Sequence, residues 1–314
     1  MKPCKLVLLG CGDFGTKRVK AALQLEAVEI VGLYDIQTEA AKDLAKLCPN
    51  AQILERFEDI DLLDYDGVIL STSNDSHLSL SLYFSEKNKY VLCESPLVKT
   101  NEQLEILRNL DHGQLGFICP ANPIRYNPLI KEVERVLMEN TIGKVYIVKV
   151  SLGHNISETK SCWQSNDSIA SGGALLEIGP TIIGLSRIFG NIQKYEVKTK
   201  AFNPTLEVED YAYGHFELDN NILLHFEADW NKWNNHETVI IEGERGILKA
   251  PLHSNKLLLT DKQGEVTTIF PQNDNDELSS ELDNFARRVL DKESFFIDIS
   301  EQVYYLPAIL RKAP

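Results

Sequence analysis

Long apolar runs are absent. No stretch of the 314 residues approaches the roughly 20 apolar positions that a membrane-crossing helix requires, so no span and no membrane partner are expected. Cysteine is sparse and scattered: Cys4, Cys11, Cys48, Cys93, Cys119 and Cys162 form no CxxC pair. That spacing argues against a disulfide framework and against a metal site, and it fits reduced thiols in a cytoplasm. Basic residues are outnumbered, with 32 Lys and Arg against 46 Asp and Glu, and the resulting net charge of -14 disfavours nucleic acid or an anionic membrane as partner. There is no internal repeat and no low-complexity segment. The opening MKPCKLVLLG is interrupted by Gly10 and Asp13 too soon to read as a secretory signal, so a cytoplasmic location is expected.

What is present starts at once. The apolar run from Lys5 leads into GCGDFG and then into the helix-like TKRVKAALQL. Strand, GxGxxG, helix is the order in which a glycine pattern signals dinucleotide binding. Gly10 permits the tight turn, Gly12 lets the backbone approach a pyrophosphate, and Gly15 lets the helix pack on the strand. With Asp13 and Phe14 these residues open the helix, whose N-terminal N–H groups and dipole favour phosphate. The second apolar run, EIVGLY, ends at Asp35, placed to accept hydrogen bonds from the adenosine ribose hydroxyls. A carboxylate there repels a 2′-phosphate, so NAD(H) is the favoured cofactor and NADP(H) the alternative.

Length implies two domains, and a hydrophobic content of 43% supports two cores. Up to about residue 120, strand-like runs (KLVLLG, EIVGLYD, DGVILSTS, KYVLCE, LGFICP) alternate with single helix-like stretches. This predicts a parallel sheet covered on both faces, binding ligands beyond the carboxyl ends of its strands. From about residue 143 eight strand-like runs follow one another with turn signals between several of them, which predicts a mostly antiparallel sheet. The expected division is therefore 1–120, an α/β dinucleotide-binding domain, and 121–314, an α+β domain with an open sheet for substrate and oligomerisation. The stretch GGALLEIGPTIIGLSRIF reads as a helix broken or bent at Pro180. The acidic residues of DELSSELDNFARRVL read as a solvated face.

The spaced motifs GCGDFG, STSNDSH, KYVLCESPL, NPIRYNP and GGALLEIGPT, in that order, resemble the glucose-fructose oxidoreductase, inositol dehydrogenase and MocA family of NAD(P)-dependent oxidoreductases over nearly the full chain. The resemblance implies a Rossmann-type first domain and dimers or tetramers built on the second domain's sheet. It places Ser71, Thr72, Asn74 and His77 at the pyrophosphate and nicotinamide side of the cofactor, and Glu94 beside the nicotinamide ribose. For His77 a buried structural role is the alternative. Arg125, in NPIRYNP, falls where it would hold a small-molecule substrate, with a surface salt bridge as the alternative.

Two positions depart from the pattern. Ser95 stands where the family carries a lysine that orients the substrate oxygen, and Thr181 where it carries an acid-base histidine; Glu177 replaces the usual aspartate. Serine and threonine hydrogen-bond a substrate but are poor acids at neutral pH. Three readings follow. The first is a reductase of a C=N, conjugated or carbonyl group that draws its proton from water, Glu177 or a nearby hydroxyl. Another is a sugar or cyclitol dehydrogenase with a displaced acid, for which His154 and His236 are candidates against ordinary structural roles. The third is a cofactor-binding regulator without turnover. Trp163, Trp230 and Trp233 form either an aromatic wall for a flat substrate or core and interface packing.

Overall fold

The computed structural model describes residues 2–156, 172–233, 236–272 and 276–310. The chain forms two compact units. The first joins Met1–Pro123 to Asp276–Tyr304, and the second comprises Ile124–Asn275 and Tyr305–Pro314. The expected boundary near residue 120 matches the first crossing, but a second domain running from 121 to 314 is corrected. The physical reason is the apolar face of the closing helix, which packs into the first unit's core.

In the first unit, strands β1 (Cys4–Leu9), β2 (Val28–Tyr34), β3 (Gln52–Leu54), β4 (Gly67–Leu70), β5 (Tyr90–Cys93) and β6 (Ile118–Pro120) lie in the order β3-β2-β1-β4-β5-β6, all parallel. This is the Rossmann order, whose direction of winding reverses between β1 and β4. Helices α1 (Asp13–Ala22), α2 (Thr38–Ala45), α3 (Asn74–Glu86), α4 (Asn101–Arg108) and the single turn α5 (His112–Leu115) provide the connections, except that a 3-10 helix, Phe57–Leu62, joins β3 to β4. Leu6, Leu8 and Leu9 of β1 and Val68, Ile69 and Leu70 of β4 are all fully buried, as a sheet covered on both faces requires. The sheet holds one strand more than the sequence announces. β3 has three residues at the sheet edge, too few to show a period.

Helix α6 (Pro128–Met138) opens the second unit, with Pro128 at its first position and Asn127 Oδ1 accepting from Leu129 N. Strand β7 (Val145–Gly153) and helix α7 (Ala174–Ser186) follow, then β8 (Ile192–Lys200), β9 (Tyr211–Leu218), β10 (Leu223–Asp229), β11 (Thr238–Gly243), β12 (Gly246–Pro251), β13 (Leu257–Asp261) and β14 (Val266–Ile269). Their order is β14-β13-β12-β11-β7-β10-β9-β8, antiparallel except for β7 against β10. All eight expected strands are present. Alternation separates the faces: Val148, Val150 and Leu152 of β7 are buried, with Ala212 and Phe216 of β9, Leu224 and Phe226 of β10 and Val239 and Ile241 of β11, and Lys149 points to the other side. Helix α7 runs unbroken through Pro180, so the expected break is corrected. Of its thirteen residues only Glu177 and Thr181 are not buried, and packing on that scale outweighs the backbone hydrogen bond that proline forfeits.

Helix α8 (Glu277–Leu290) returns to the first unit, followed by α9 (Phe296–Tyr305). Leu282, Phe285, Ala286 and Val289 join the core that contains Leu6, Leu8, Val19 and Ala22. Burying Leu282 and Phe285 contributes about 1.5–3 kcal/mol each. No helix among the described residues is long and apolar enough to cross a membrane.

Candidate active site

Three glycines of the first loop differ in what demands them. Gly10 has φ +90°, and a Cβ there would lie 2.4 Å from Ser71 O. A Cβ at Gly15 would lie 2.1 Å from Gly10 O. Neither position accepts a side chain. At Gly12, the N-cap of α1, a Cβ would meet nothing within 4 Å, the φ is -75°, and no side chain caps the helix. The chain itself has no use for a glycine there. Open space before uncapped N–H groups, where Asp13 and Phe14 are exposed, fits a bound pyrophosphate. Ser71 Oγ is buried without a hydrogen-bond partner among the described residues, a second sign that this edge of the sheet is completed by something outside the chain.

Asp35 directly follows β2 and braces the loop. Its Oδ2 accepts from Cys11 N at 2.7 Å and its Oδ1 from Gln37 N at 2.8 Å. A carboxylate has about four lone-pair sites, so capacity for ribose hydroxyls remains. Burial and the Asp35 charge push the Cys11 thiol up to about 12, which keeps it protonated.

Beyond β4 and β5 the loops are pinned by His77. Its Nδ1 lies 2.8 Å from Pro96 O and its Nε2 3.1 Å from Thr72 O, and the ring is buried. Burial lowers its pKa, against the pull of the two carbonyls. His77 ties the Ser71–Thr72 segment to the Ser95–Pro96 bond, which is cis. Thr72 Oγ1 accepts from Ser76 Oγ at 2.7 Å, and Asn74 begins α3. Ser95 Oγ donates to Ala121 O at 2.8 Å, so its proton is directed at the backbone.

Glu94 belongs to a buried charge cluster. Arg18 Nε lies 2.5 Å from Glu94 Oε1 and Nη2 3.1 Å from Oε2. The same Nη2 lies 2.7 Å from Glu281 Oε2, an ion pair whose angles fall short of a hydrogen bond. Burial opposes charge on Arg18, but the two carboxylates more than offset it and hold the guanidinium pKa above its ordinary value. Burial also raises the Glu281 pKa, with Arg18 pulling it back and the Glu94 charge adding to it. The solvated reading of the closing helix is thus corrected at Glu281. Sequence reasoning missed Arg18 as well, although a charged residue beside Val19 on the buried face of α1 was the available signal.

In the second unit the candidate residues come together from three places. Glu177 lies in the first turn of α7 with Thr181 one turn on. Trp230 Nε1 donates to Glu177 Oε2 at 2.5 Å, and His154 Nε2 lies 3.8 Å from the same oxygen. The Trp230 ring is 1% exposed, so the donor is fixed by packing, which makes it a core residue with one polar task. Gly153 carries His154 there. Its φ of +151° and a would-be Cβ 1.9 Å from Asp229 O show how closely β7 and β10 converge. His236 is exposed, as is Trp233. Arg125 is half-buried in the 3-10 turn Pro123–Tyr126. Trp163 lies outside the described residues.

Residues 4–112 match the model of the oxidoreductase family with an NAD-binding Rossmann fold, and residues 130–249 match the GFO/IDH/MocA C-terminal domain. The chain is 24% identical over 235 residues to glucose-6-phosphate 3-dehydrogenase of Bacillus subtilis (strain 168), a match that takes in 70% of this chain and 66% of that enzyme. It is 29% identical over 116 residues to trans-1,2-dihydrobenzene-1,2-diol dehydrogenase of Danio rerio, covering 37% of this chain and 34% of that one. Among solved structures, levoglucosan dehydrogenase in complex with NADH and levoglucosan superposes with a TM-score of 0.86 at 18% identity, covering 98% of this chain and 96% of that one.

Proposed function

Since the chain belongs to the Gfo/Idh/MocA oxidoreductase family, we propose that it is an NAD(H)-dependent oxidoreductase interconverting a hydroxyl and a carbonyl on a polyhydroxylated small molecule. The observation that carries this reading is the grouping of His154, Glu177 and Trp230. Direct reduction of a C=N or conjugated system needs no dedicated proton carrier, whereas alcohol–carbonyl interconversion does. An imidazole is the side chain suited to give and take a proton between pH 5 and 8. His154 supplies it at a different place in the sequence from the histidine that Thr181 replaces.

Gly12 and the N–H groups that open α1 hold the pyrophosphate, with Ser71, Thr72 and Asn74 beside it. Asp35 accepts from the adenosine ribose and disfavours NADP(H), and Glu94 accepts from the second ribose. NAD(H), when bound, supplies or accepts the hydride. Glu177, held by Trp230, receives a substrate hydroxyl and compensates charge on the imidazole. His154 takes the hydroxyl proton in oxidation and returns it to the oxygen in reduction, while Thr181 and Arg125 hydrogen-bond the substrate. The non-buried face of the second unit's sheet is the surface we assign to self-association.

The test is NADH and NADPH titration, followed by turnover on a panel of sugars, cyclitols and imines. The expected outcome is tighter binding of NADH and turnover of a polyol, with His154→Gln lowering kcat by about 10²–10⁴-fold at unchanged NADH affinity. Binding without turnover across the panel favours the regulator, and turnover indifferent to His154→Gln removes the proton carrier from the mechanism.

A further inference from the structure

Glu94 is one member of a closed ring of polar contacts whose other charged members, Arg18 and Glu281, no motif announces. Arg18 grips both its oxygens. Glu281, on α8, meets Arg18 from the other side and accepts with Oε1 from Asn122 N at 2.5 Å. The residue before Asn122 accepts from Ser95 Oγ, which brings the ring back to the neighbour of Glu94. The side chains grade from inside to outside: Arg18 is 0% exposed, Glu281 4% and Glu94 12%. Of the three charged groups only Glu94 reaches the surface to any extent. It does so just past the carboxyl end of β5, the edge of a doubly wound sheet at which ligands bind. Phe14 of the glycine loop also rests against Arg18, with the guanidinium carbon 5.6 Å from the ring centroid.

We infer that Arg18 and Glu281 are positioning residues for the cofactor: they fix the carboxylate of Glu94 so that it accepts from a ribose hydroxyl, and Glu281 acts on the ligand only through Glu94. This rests on the cofactor reading given above. The geometry supports it in two ways. A guanidinium that holds both oxygens of one carboxylate sets its plane and rotamer. A second, deeper carboxylate on the same Nη2 sets the position of that guanidinium, and its bond to Asn122 N ties it to the end of β6. A closing helix contributed from the far end of the sequence thereby becomes part of the nucleotide site.

The test is a double-mutant cycle read as NADH dissociation constants by fluorescence titration on the full chain, in the parent, Glu94→Gln, Glu281→Gln and the double variant. Each single change is expected to weaken NADH about tenfold, the worth of a hydrogen bond to a charged group. The double variant is expected to bind no more weakly than Glu94→Gln alone. Factors that multiply, or a parental dissociation constant in Glu281→Gln, overturn the inference, because a merely structural role would not be silenced by Glu94→Gln. If Glu281→Gln does not fold, Arg18→Lys takes its place in the same cycle; it keeps the charge but cannot hold both oxygens. A parent that binds no NADH overturns the cofactor reading and this inference with it, whereas parental binding with multiplying factors overturns this inference alone.

Discussion

The two sheets solve the problem of building a site in opposite ways. In the first unit the sheet is buried on both faces, and the candidate cofactor residues stand at the carboxyl ends of β1, β2, β4 and β5, where backbone geometry dominates. In the second, one face packs on helices while the other is not buried, and the candidate group is made of side chains just past β7, within α7 and just past β10. A backbone-built site is written in consecutive letters, because glycines must stand at fixed offsets. A side-chain site is written at positions 154, 177 and 230, which nothing but the fold brings together.

The comparison is tested most severely at the glycines. Gly10→Ala is expected to destabilise the chain by roughly 2–3 kcal/mol in urea unfolding, because it needs a left-handed conformation and meets Ser71 O. Gly12→Ala is expected to unfold within about 0.5 kcal/mol of the parent yet to lose NADH affinity by about tenfold. Equal destabilisation of both variants would show that the loop serves packing alone. A smaller effect is expected at Trp230→Phe, which keeps an aromatic side chain and removes the donor to Glu177. The expected cost is about 1–2 kcal/mol in kcat/KM, the worth of a hydrogen bond to a carboxylate, with NADH affinity unchanged; a loss of NADH affinity would tie Trp230 to the wrong half of the chemistry.

The smallest expected effect concerns pH. The buried His77 has a lowered pKa, so the unfolded chain binds a proton that the folded chain resists. Its contribution is whole above the unfolded value, about 6.5, and is lost as pH falls below that value. Urea midpoints at pH 7.5 and 5.5 are expected to differ less in His77→Gln than in the parent. An unchanged difference would place the acid sensitivity elsewhere.

Much of the fold was legible. The eight strand-like runs after residue 143 are the eight strands β7 to β14, and the glycine motif located the α1 N-terminus. What escaped did so for identifiable reasons. β3 is three residues long, and a period needs more. Pro180 reads locally as a helix breaker, but burial of nearly all of α7 decides its conformation. Glu281 reads as solvated because its neighbours Ser280 and Asp283 are polar, and only the partner 263 positions away on α1 makes its burial intelligible. His154 was a candidate, yet its proximity to Glu177 depends on Gly153 letting two strands close on each other.

The return of α8 to the first unit also orders events during synthesis. Leu282 and Phe285 complete a core whose other members, Leu6, Leu8 and Val19, leave the ribosome first. At about 5–20 residues per second, the Ile124–Asn275 part of the second unit takes roughly eight to thirty seconds to emerge. For that interval the nascent nucleotide-binding unit carries an uncovered apolar flank, a surface for chaperones to guard until α8 arrives.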